Sequence, residues 1–367
     1  MKALEVRSEK DLADFIDFPY SFYAKDPLYA PQLKSEMRDQ FSKKNPFFQH
    51  AEVKFFLARE SGKVLGRVAS IINRRHIDFH NERAGFFGFF ESVNDLEVSH
   101  RLLDAVKSAL REEGMTIMRG PMNFSTNEEC GFLIEGFHEV PMLMTPHNPP
   151  YYNDMMQQYG MKKAKDLYAY IHDVRETLPE KVLRVALIAE KRGISVRPVD
   201  KKKFNEEMRV FQQVYNSAWE RNWGFIPLTD GELLNLGERL KQIVVPELTL
   251  VAEDDGEPVG FMGLLPDFNY VLRHMGGRLN PLTILKALYY SRKITDLRLL
   301  LLGIKKEYRN RGVDALLYRE GFYGVRKKGY KRIEFSWILE DNIPVQRIVE
   351  MIGGRLYKRY RIYEIPI

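Results

Sequence analysis

The residues of this chain best suited to do chemistry are Arg309, Arg311 and Gly312. They close a basic turn, Lys305-Lys306-Glu307-Tyr308-Arg309-Asn310-Arg311-Gly312, between the apolar run Leu297-Arg298-Leu299-Leu300-Leu301-Leu302-Gly303-Ile304 and the segment Val313-Asp314-Ala315-Leu316-Leu317. The run reads as a strand and the segment after the turn as a helix. Backbone N–H groups in the first turn of a helix have no partner within it, and the helix dipole adds partial positive charge there. A diphosphate fits that position. Gly312 allows close backbone approach, and the two arginines add charge suited to phosphate.

The elements that must position this turn occur twice. Residues 53–59 and 64–73 read as strands joined by Glu60-Ser61-Gly62-Lys63, and residues 248–253 and 259–265 flank Asp254-Asp255-Gly256-Glu257. Gly62 and Gly66 lie 194 positions before Gly256 and Gly260; Asn148 and Gly160 stand at the same offset from Asn342 and Gly354. Val98, Leu102, Leu103, Val106 and Leu110 form one apolar helix face, and Ala315, Leu316, Tyr318, Phe322 and Val325 form its counterpart. Strands over 115–118 and 332–339 follow. The shared order of hairpin, strand, helix, strand, helix, strand is a duplication at domain scale. It predicts an α/β (α+β) protein of two domains, 1–175 and 176–367, each a mixed, mostly antiparallel sheet with helices on both faces. A helix over 180–192 and a strand over 194–198 open the second domain. The first 45 or so residues read as a helix plus an irregular aromatic arm that packs on the first sheet or closes over a cleft.

With these elements in place, Arg309-Asn310-Arg311-Gly312-Val313-Asp314 resembles the acyl-CoA signature of the GNAT N-acyltransferases, Gln/Arg-x-x-Gly-x-Gly/Ala between the fourth strand and the third helix. Asn342, ahead of a helix over 344–352, resembles the second motif of that family, an Asn that begins the helix after the fifth strand. The ordered pair covers about the last 75 residues, and the duplication extends a weaker resemblance over most of the chain. The resemblance implies that acetyl-CoA or a longer acyl-CoA is the acyl donor. Backbone groups of Leu302, Gly303 and Ile304 would bind pantetheine where the fourth and fifth strands splay. The N–H groups of Arg309, Asn310, Arg311, Gly312, Val313, Asp314 and Ala315 would hold the diphosphate, and Asn342 would touch the cofactor near its thioester.

Two positions depart from the pattern. Asp314 stands where the signature has Gly or Ala, and Val349 where many members carry a tyrosine acid. The corresponding turn of the first copy, Phe89-Phe90-Glu91-Ser92-Val93-Asn94-Asp95, is acidic and lacks glycine, so it would repel a diphosphate. Only the second domain is expected to bind CoA, with the first as a support or a wall of the acceptor site, as in tandem transferases of the Fem and N-myristoyl types.

Amide formation needs a neutral amine and hence a base. Glu340, at the end of the strand that closes at Leu339 and beside the implied thioester position, is the candidate; partial burial would raise its pKa. A solvated residue, or a partner of Lys331 or Arg347, is the alternative. Trp219-Glu220-Arg221-Asn222-Trp223-Gly224-Phe225-Ile226-Pro227 follows a helix over 203–219, and in the family that segment lines the acceptor pocket. Trp223 and Phe225 favour an apolar or amphipathic amine, whether a small molecule or a lipid. An insert between 266 and 297 carries a helix over 281–291 with Leu282, Ile284, Leu285, Leu288 and Tyr289 on a wide apolar face beside Lys286, Arg292 and Lys293. It reads as a lid over an acyl chain, an interfacial membrane contact or packed core. The leading expectation is an N-acyltransferase acting by direct amine attack, similar to bacterial tandem-GNAT proteins linked to N-acylation of long-chain amino lipids. The alternative is a catalytically silent CoA-binding or scaffold protein.

Composition bounds these readings. Across 367 residues, 44% hydrophobic and 12% aromatic content excludes a disordered chain, and the formal charge of +6 suits anionic small ligands or an anionic surface. Nucleic-acid binding would rest on the basic stretch 305–347 and the tail 355–361, whose charges solvated helix faces explain more simply. The single Cys130 permits no intramolecular disulfide and fits a buried apolar role in a reducing, cytoplasmic compartment. No metal-ligand spacing appears, Met1-Lys2-Ala3-Leu4-Glu5 has charge where an export signal needs an apolar core, and no apolar run approaches the roughly 20 residues of a membrane helix.

Overall fold

Two hairpins of the same build begin the two halves. Glu60 pairs with Lys63 across Ser61 (φ 48) and Gly62 (φ 82), and Asp254 pairs with Glu257 across Asp255 (φ 49) and Gly256 (φ 80). Positive φ at both central residues is the two-residue turn whose twist matches paired strands. The computed structural model describes residues 1–174, 177–220 and 222–367, so the expected join at 175/176 and Arg221 lie outside the described residues.

The elements run β1 (Lys2–Glu5), α1 (Glu9–Phe22), α2 (Lys34–Gln40), β2 (Ala51–Glu60), β3 (Lys63–Asn73), α3 (Arg74–His80), β4 (Ala84–Ser92), α4 (Leu96–Glu112), β5 (Ile117–Gly120), β6 (Phe132–Glu135), α5 (Tyr151–Gln158) and β7 (Lys162–Asp173). Then follow α6 (Glu180–Lys191), β8 (Ile194–Pro198), α7 (Phe204–Trp219), α8 (Asp230–Leu240), β9 (Thr249–Asp254), β10 (Glu257–Pro266), α9 (Asn269–Met275), α10 (Pro281–Ser291), β11 (Asp296–Ile304), α11 (Val313–Lys328), β12 (Arg332–Leu339), α12 (Ile343–Met351) and β13 (Arg355–Pro366). They form two compact units. One comprises Met1–Leu167, Asn269–Tyr290 and Lys358–Ile367, the other Tyr168–Phe268 and Ser291–Tyr357. The insert and the last strand thus fold with the first unit, an exchange that no local pattern announced.

In the first unit the strand order is β1-β2-β3-β4-β5-β13, with β6 also on β13. Only β4 and β5 are parallel, joined through α4; the other pairings resolved there are antiparallel. The second unit repeats the pattern as β12-β11-β10-β9-β8, with β11 and β12 parallel through α11. Alternation along each strand sends neighbours to opposite faces. On β3, Gly66 lies against Leu102 of α4, while the Arg67 guanidinium donates to Phe15 O of α1 at 2.9 Å. On β10, Met262 lies against Gly321 of α11 and the Phe261 ring packs, tilted, at 5.2 Å against Phe211 of α7. Both sheets are therefore covered on two faces, as the alternation of elements predicts.

The N-terminal arm is more regular than its sequence suggests. It adds β1 to the sheet edge, and α1 packs Phe15 against Phe55 at 4.9 Å. Within the insert, residues 269–275 form α9, where the sequence reading had no element before residue 281. Cys130 is buried. Among the described residues no helix is long and apolar enough to cross a membrane.

Candidate functional site

The basic turn does deliver an open helix start. Gly312 (φ 85) caps α11, and the first helical bond runs from Leu316 N–H to Gly312 O at 3.0 Å. The N–H groups of Val313, Asp314 and Ala315 therefore have no intrahelical acceptor. No side-chain hydrogen bond caps this helix. Asp314 is half-buried one turn before Tyr318, whose hydroxyl is held above its ordinary pKa by burial and then by the Asp314 charge. Arg311 lies over the Tyr308 ring at 4.8 Å, and Arg309 Nη2 donates to Ala218 O at 2.7 Å, near the end of α7. Gly312 also answers to packing. A Cβ there would stand 2.9 Å from Val185 Cγ1 and 3.0 Å from Val185 O of α6, so helix contact alone requires glycine. Asn310 (φ 62) takes the left-handed conformation that asparagine tolerates.

The strand leading into the turn is open on one side. The parallel ladder of β11 and β12 spans Asp296↔Arg332 to Leu299↔Phe335, after which β11 continues to Ile304 and β12 to Leu339 without pairing each other. A register shift on the β10 side places Leu300 as an extra residue, a bulge that bends β11 where the strands part. Leu302, Gly303 and Ile304 remain paired with Met262, Phe261 and Gly260 on their other edge. Backbone groups pointing into the gap have no strand partner. The Trp219 ring roofs this segment so closely that a Cβ on Gly303 would lie 2.2 Å from it.

The first copy has the same frame with the gap filled. Its parallel ladder ends at Phe86↔Arg119; Met122 N–H then donates to Phe87 O at 2.8 Å and Phe89 N–H to Asn123 Oδ1 at 2.7 Å. Ser92 N–H donates to the Tyr152 hydroxyl at 2.8 Å, and the Tyr151 hydroxyl donates to Ser92 O at 2.9 Å. The start of α4 is occupied too, since Asp95 Oδ1 accepts from Glu97 N–H and Val98 N–H. Ser92 pairs with Gly66 as Ile304 pairs with Gly260, which puts Glu91 at the register of Gly303. Glu91 Oε2 accepts from the Tyr23 hydroxyl at 2.7 Å and the Tyr152 hydroxyl at 2.8 Å. Burial pushes its carboxyl up to about 7, against the opposing pull of Arg67 and the two hydroxyls. Beside it, His147 Nε2 sits 2.7 Å from Asp26 Oδ2, a pair that residues 121 positions apart could not reveal from sequence.

The other expected residues are placed as follows. Asn342 caps α12, its Oδ1 accepting from Val345 N–H at 3.5 Å. Glu340 follows β12 and is half-buried; Gln346 Nε2 donates to its carbonyl at 2.9 Å and to Leu339 O at 3.0 Å, which fixes the chain there. Val349 is wholly buried in the core of the second unit, against the backbone of Gly354. Phe225 is buried against Tyr215 at 5.3 Å, whereas Trp223 is half-buried. Sequence reasoning passed over Arg298, which it counted within an apolar run. Arg298 and Glu334 are register partners 3.7 Å apart, both fully buried and bridged by Ser336 Oγ, with the Tyr357 hydroxyl on the other Glu334 oxygen. Among the described residues no three metal-ligating side chains come together.

No family model matches the chain. The chain is 32% identical over 366 residues to Protein YghO of Escherichia coli (strain K12), covering 98% of this chain and 94% of that protein. It is 34% identical over 372 residues to the Bacterial ceramide synthase of Caulobacter vibrioides, covering 99% and 97%. Among solved structures, a tandem GNAT protein from the clavulanic acid biosynthesis pathway matches 100% of this chain and 98% of its own at a TM-score of 0.59 and 11% identity. A GCN5-related N-acetyltransferase from Sphaerobacter thermophilus matches 99% and 95% at 0.53 and 13%. The structural likenesses establish the doubled fold, and the two relatives share more than 30% identity over nearly their whole length. The chain therefore has the tandem-GNAT fold and belongs to the same family as YghO and the bacterial ceramide synthase.

Proposed function

We propose that this chain is an acyl-CoA-dependent N-acyltransferase whose second unit binds the acyl donor and whose acceptor is an amphipathic long-chain amine. The observation that carries the reading is the contrast between the copies. The gap beside Leu302, Gly303 and Ile304 is open, while its counterpart beside Glu91 is closed by Met122, Asn123, Tyr151 and Tyr152. Unsatisfied backbone groups in a strand gap, leading to unsatisfied N–H groups at a helix start, suit the amides and the diphosphate of CoA. The likeness to a bacterial ceramide synthase supports a long-chain amine, because a ceramide is the amide of one.

Bound acyl-CoA supplies an activated acyl carbonyl. Leu302, Gly303 and Ile304 would orient it along β11, while the α11 start, with Arg309 and Arg311, would neutralise the diphosphate. The amine nitrogen attacks the thioester carbon, the C–S bond breaks and the CoA thiolate leaves. Glu340, directly or through water, takes the amine proton. Val349 carries no hydroxyl, so α12 offers no acid at that position, and the leaving thiolate takes its proton from water. The missing acid, together with Asp314 in the phosphate turn, favours the second reading, a protein that binds acyl-CoA without turning it over.

Calorimetry with CoA, acetyl-CoA and palmitoyl-CoA tests the donor site. Arg309→Ala with Arg311→Ala should weaken all three about tenfold or more, since charge-assisted contacts are lost. Thiol release with a panel of long-chain amines tests turnover. Binding without release in the wild type selects the silent protein, and unchanged turnover in Glu340→Gln removes Glu340 as the base.

A further inference from the structure

The helix α10 is built inside out. Its small and polar residues, Thr283 and Ala287, face the protein with Tyr290, while Leu282 (64% exposed), Leu285 (64%), Leu288 (54%) and Tyr289 (55%) face away; Leu279, just before the helix, is 58% exposed. A surface helix normally does the reverse. The helix is nonetheless firmly held. Asn280 and Thr283 cap its start reciprocally, with Thr283 N–H to Asn280 Oδ1 at 3.0 Å and Asn280 N–H to Thr283 Oγ1 at 2.9 Å. At its other end Tyr290 stacks on His274 of α9 at 3.6 Å. The connection to α9 is tied into the first unit by Lys34 N–H to Gly277 O at 3.1 Å, and α9 itself by Asn269 Nδ2 to Met142 O at 2.8 Å. These leucines stand on a fixed platform, so their exposure is a property of the fold rather than of a loose segment.

Charge identifies the partner. From residue 268 to 290 the chain carries Arg273, Arg278 and Lys286 and no acidic residue. A second copy docking here would set like positive charges against one another. An acidic protein would satisfy the charges but would not call for a leucine stripe flanked by aromatics. A lipid surface with anionic headgroups satisfies both at once, since apolar side chains enter the acyl boundary while basic ones meet the phosphates. We infer that α10 is an interfacial anchor that docks the protein on an anionic membrane. The inference gains its purpose from the proposed long-chain acceptor, which partitions into membranes. Docking and catalysis are nevertheless measured separately, and either can fail while the other stands.

The test is co-sedimentation of the full chain with vesicles of phosphatidylcholine, with and without phosphatidylglycerol. The wild type should partition at least tenfold more strongly onto the anionic vesicles, and the difference should shrink in high salt. Leu282→Gln with Leu285→Gln should lower that partitioning at least tenfold with Tm unchanged, because both side chains are already in water. Arg278→Gln with Lys286→Gln should sharply reduce the preference for anionic vesicles while leaving weak binding to both. Wild-type protein that stays in the supernatant, or partitioning indifferent to the leucine substitutions, overturns the inference. So does a dimer in sedimentation equilibrium that the leucine substitutions abolish, which would make the face a contact between copies. Thiol release with a soluble amine, run on the same variants, reports the catalytic reading independently.

Discussion

Substituting Glu91 by glutamine tests how the first copy closed its gap. Glu91 sits where the second copy has Gly303, and its carboxyl is raised from the ordinary 4.5 to about 7, chiefly by burial. A raised carboxyl favours the folded state only while it keeps its proton. Below pH 4.5 folded and unfolded chains are both protonated, and the full stability is present. Between pH 4.5 and about 7 the unfolded chain ionises first, so stability falls as pH rises; above 7 the loss is complete. A difference of about 2.5 pH units corresponds to about 3 kcal/mol. Glutamine cannot ionise, and its carbonyl can still accept from Tyr23 and Tyr152, which both bond the same carboxylate oxygen in the wild type. Glu91→Gln should therefore stay within about 1 kcal/mol of the wild type near pH 5 and exceed it by up to about 3 kcal/mol at pH 8. All three tryptophans, Trp219, Trp223 and Trp337, lie in the other unit, so fluorescence would miss the effect. Hydrogen exchange of β4 and α4 amides from pH 5 to 8, corrected for intrinsic rates, is the right measurement. Parallel pH profiles for the two proteins would show that Glu91 is ionised and solvated, and the account of the closed gap would fail.

Two further substitutions probe the second unit. Gly312→Ala would force a Cβ to within 3.0 Å of the α6 backbone at φ 85, and should lower stability by about 2 kcal/mol or more, read as a drop in Tm, whether or not CoA is present; a neutral result would assign that glycine to ligand approach alone. Arg298→Met would leave Glu334 buried without its cation and should cost about 3–5 kcal/mol in urea unfolding, with partial recovery on adding Glu334→Gln, so a harmless single substitution would mean the pair is not buried as described.

The sequence carried the fold because the duplication doubled every local signal. Each hairpin turn needed positive φ at two adjacent residues, and Ser61-Gly62 and Asp255-Gly256 announced it twice at one offset. The helix faces on Val98 to Leu110 and Ala315 to Val325 were legible for the same reason, since periodicity is a local property. The basic turn was legible as a helix start because glycine, arginine and strand context stand next to one another. Arg298 was passed over because a single charged residue in an apolar run carries no local sign of its role until its partner, Glu334, is brought alongside by the parallel ladder. The acidic turn of the first copy was read as repelling a diphosphate. The hydrogen bonds add that its gap is already filled by residues from 30 to 60 positions further along the chain.

What the sequence determined by itself was therefore the set of parts: two copies of one frame, a single basic glycine turn, and a wide apolar face on one helix. Tertiary structure decided where those parts act. It opened the gap at Leu302 to Ile304 by ending the β11–β12 ladder at Leu299, closed its twin with tyrosines, returned β13 and the insert to the first unit, and turned the leucines of α10 outward. The physical reason is one of range. Turn chemistry, periodicity and capping depend on neighbours within a few residues, whereas satisfying a backbone group or covering an apolar face depends on which distant segment arrives there.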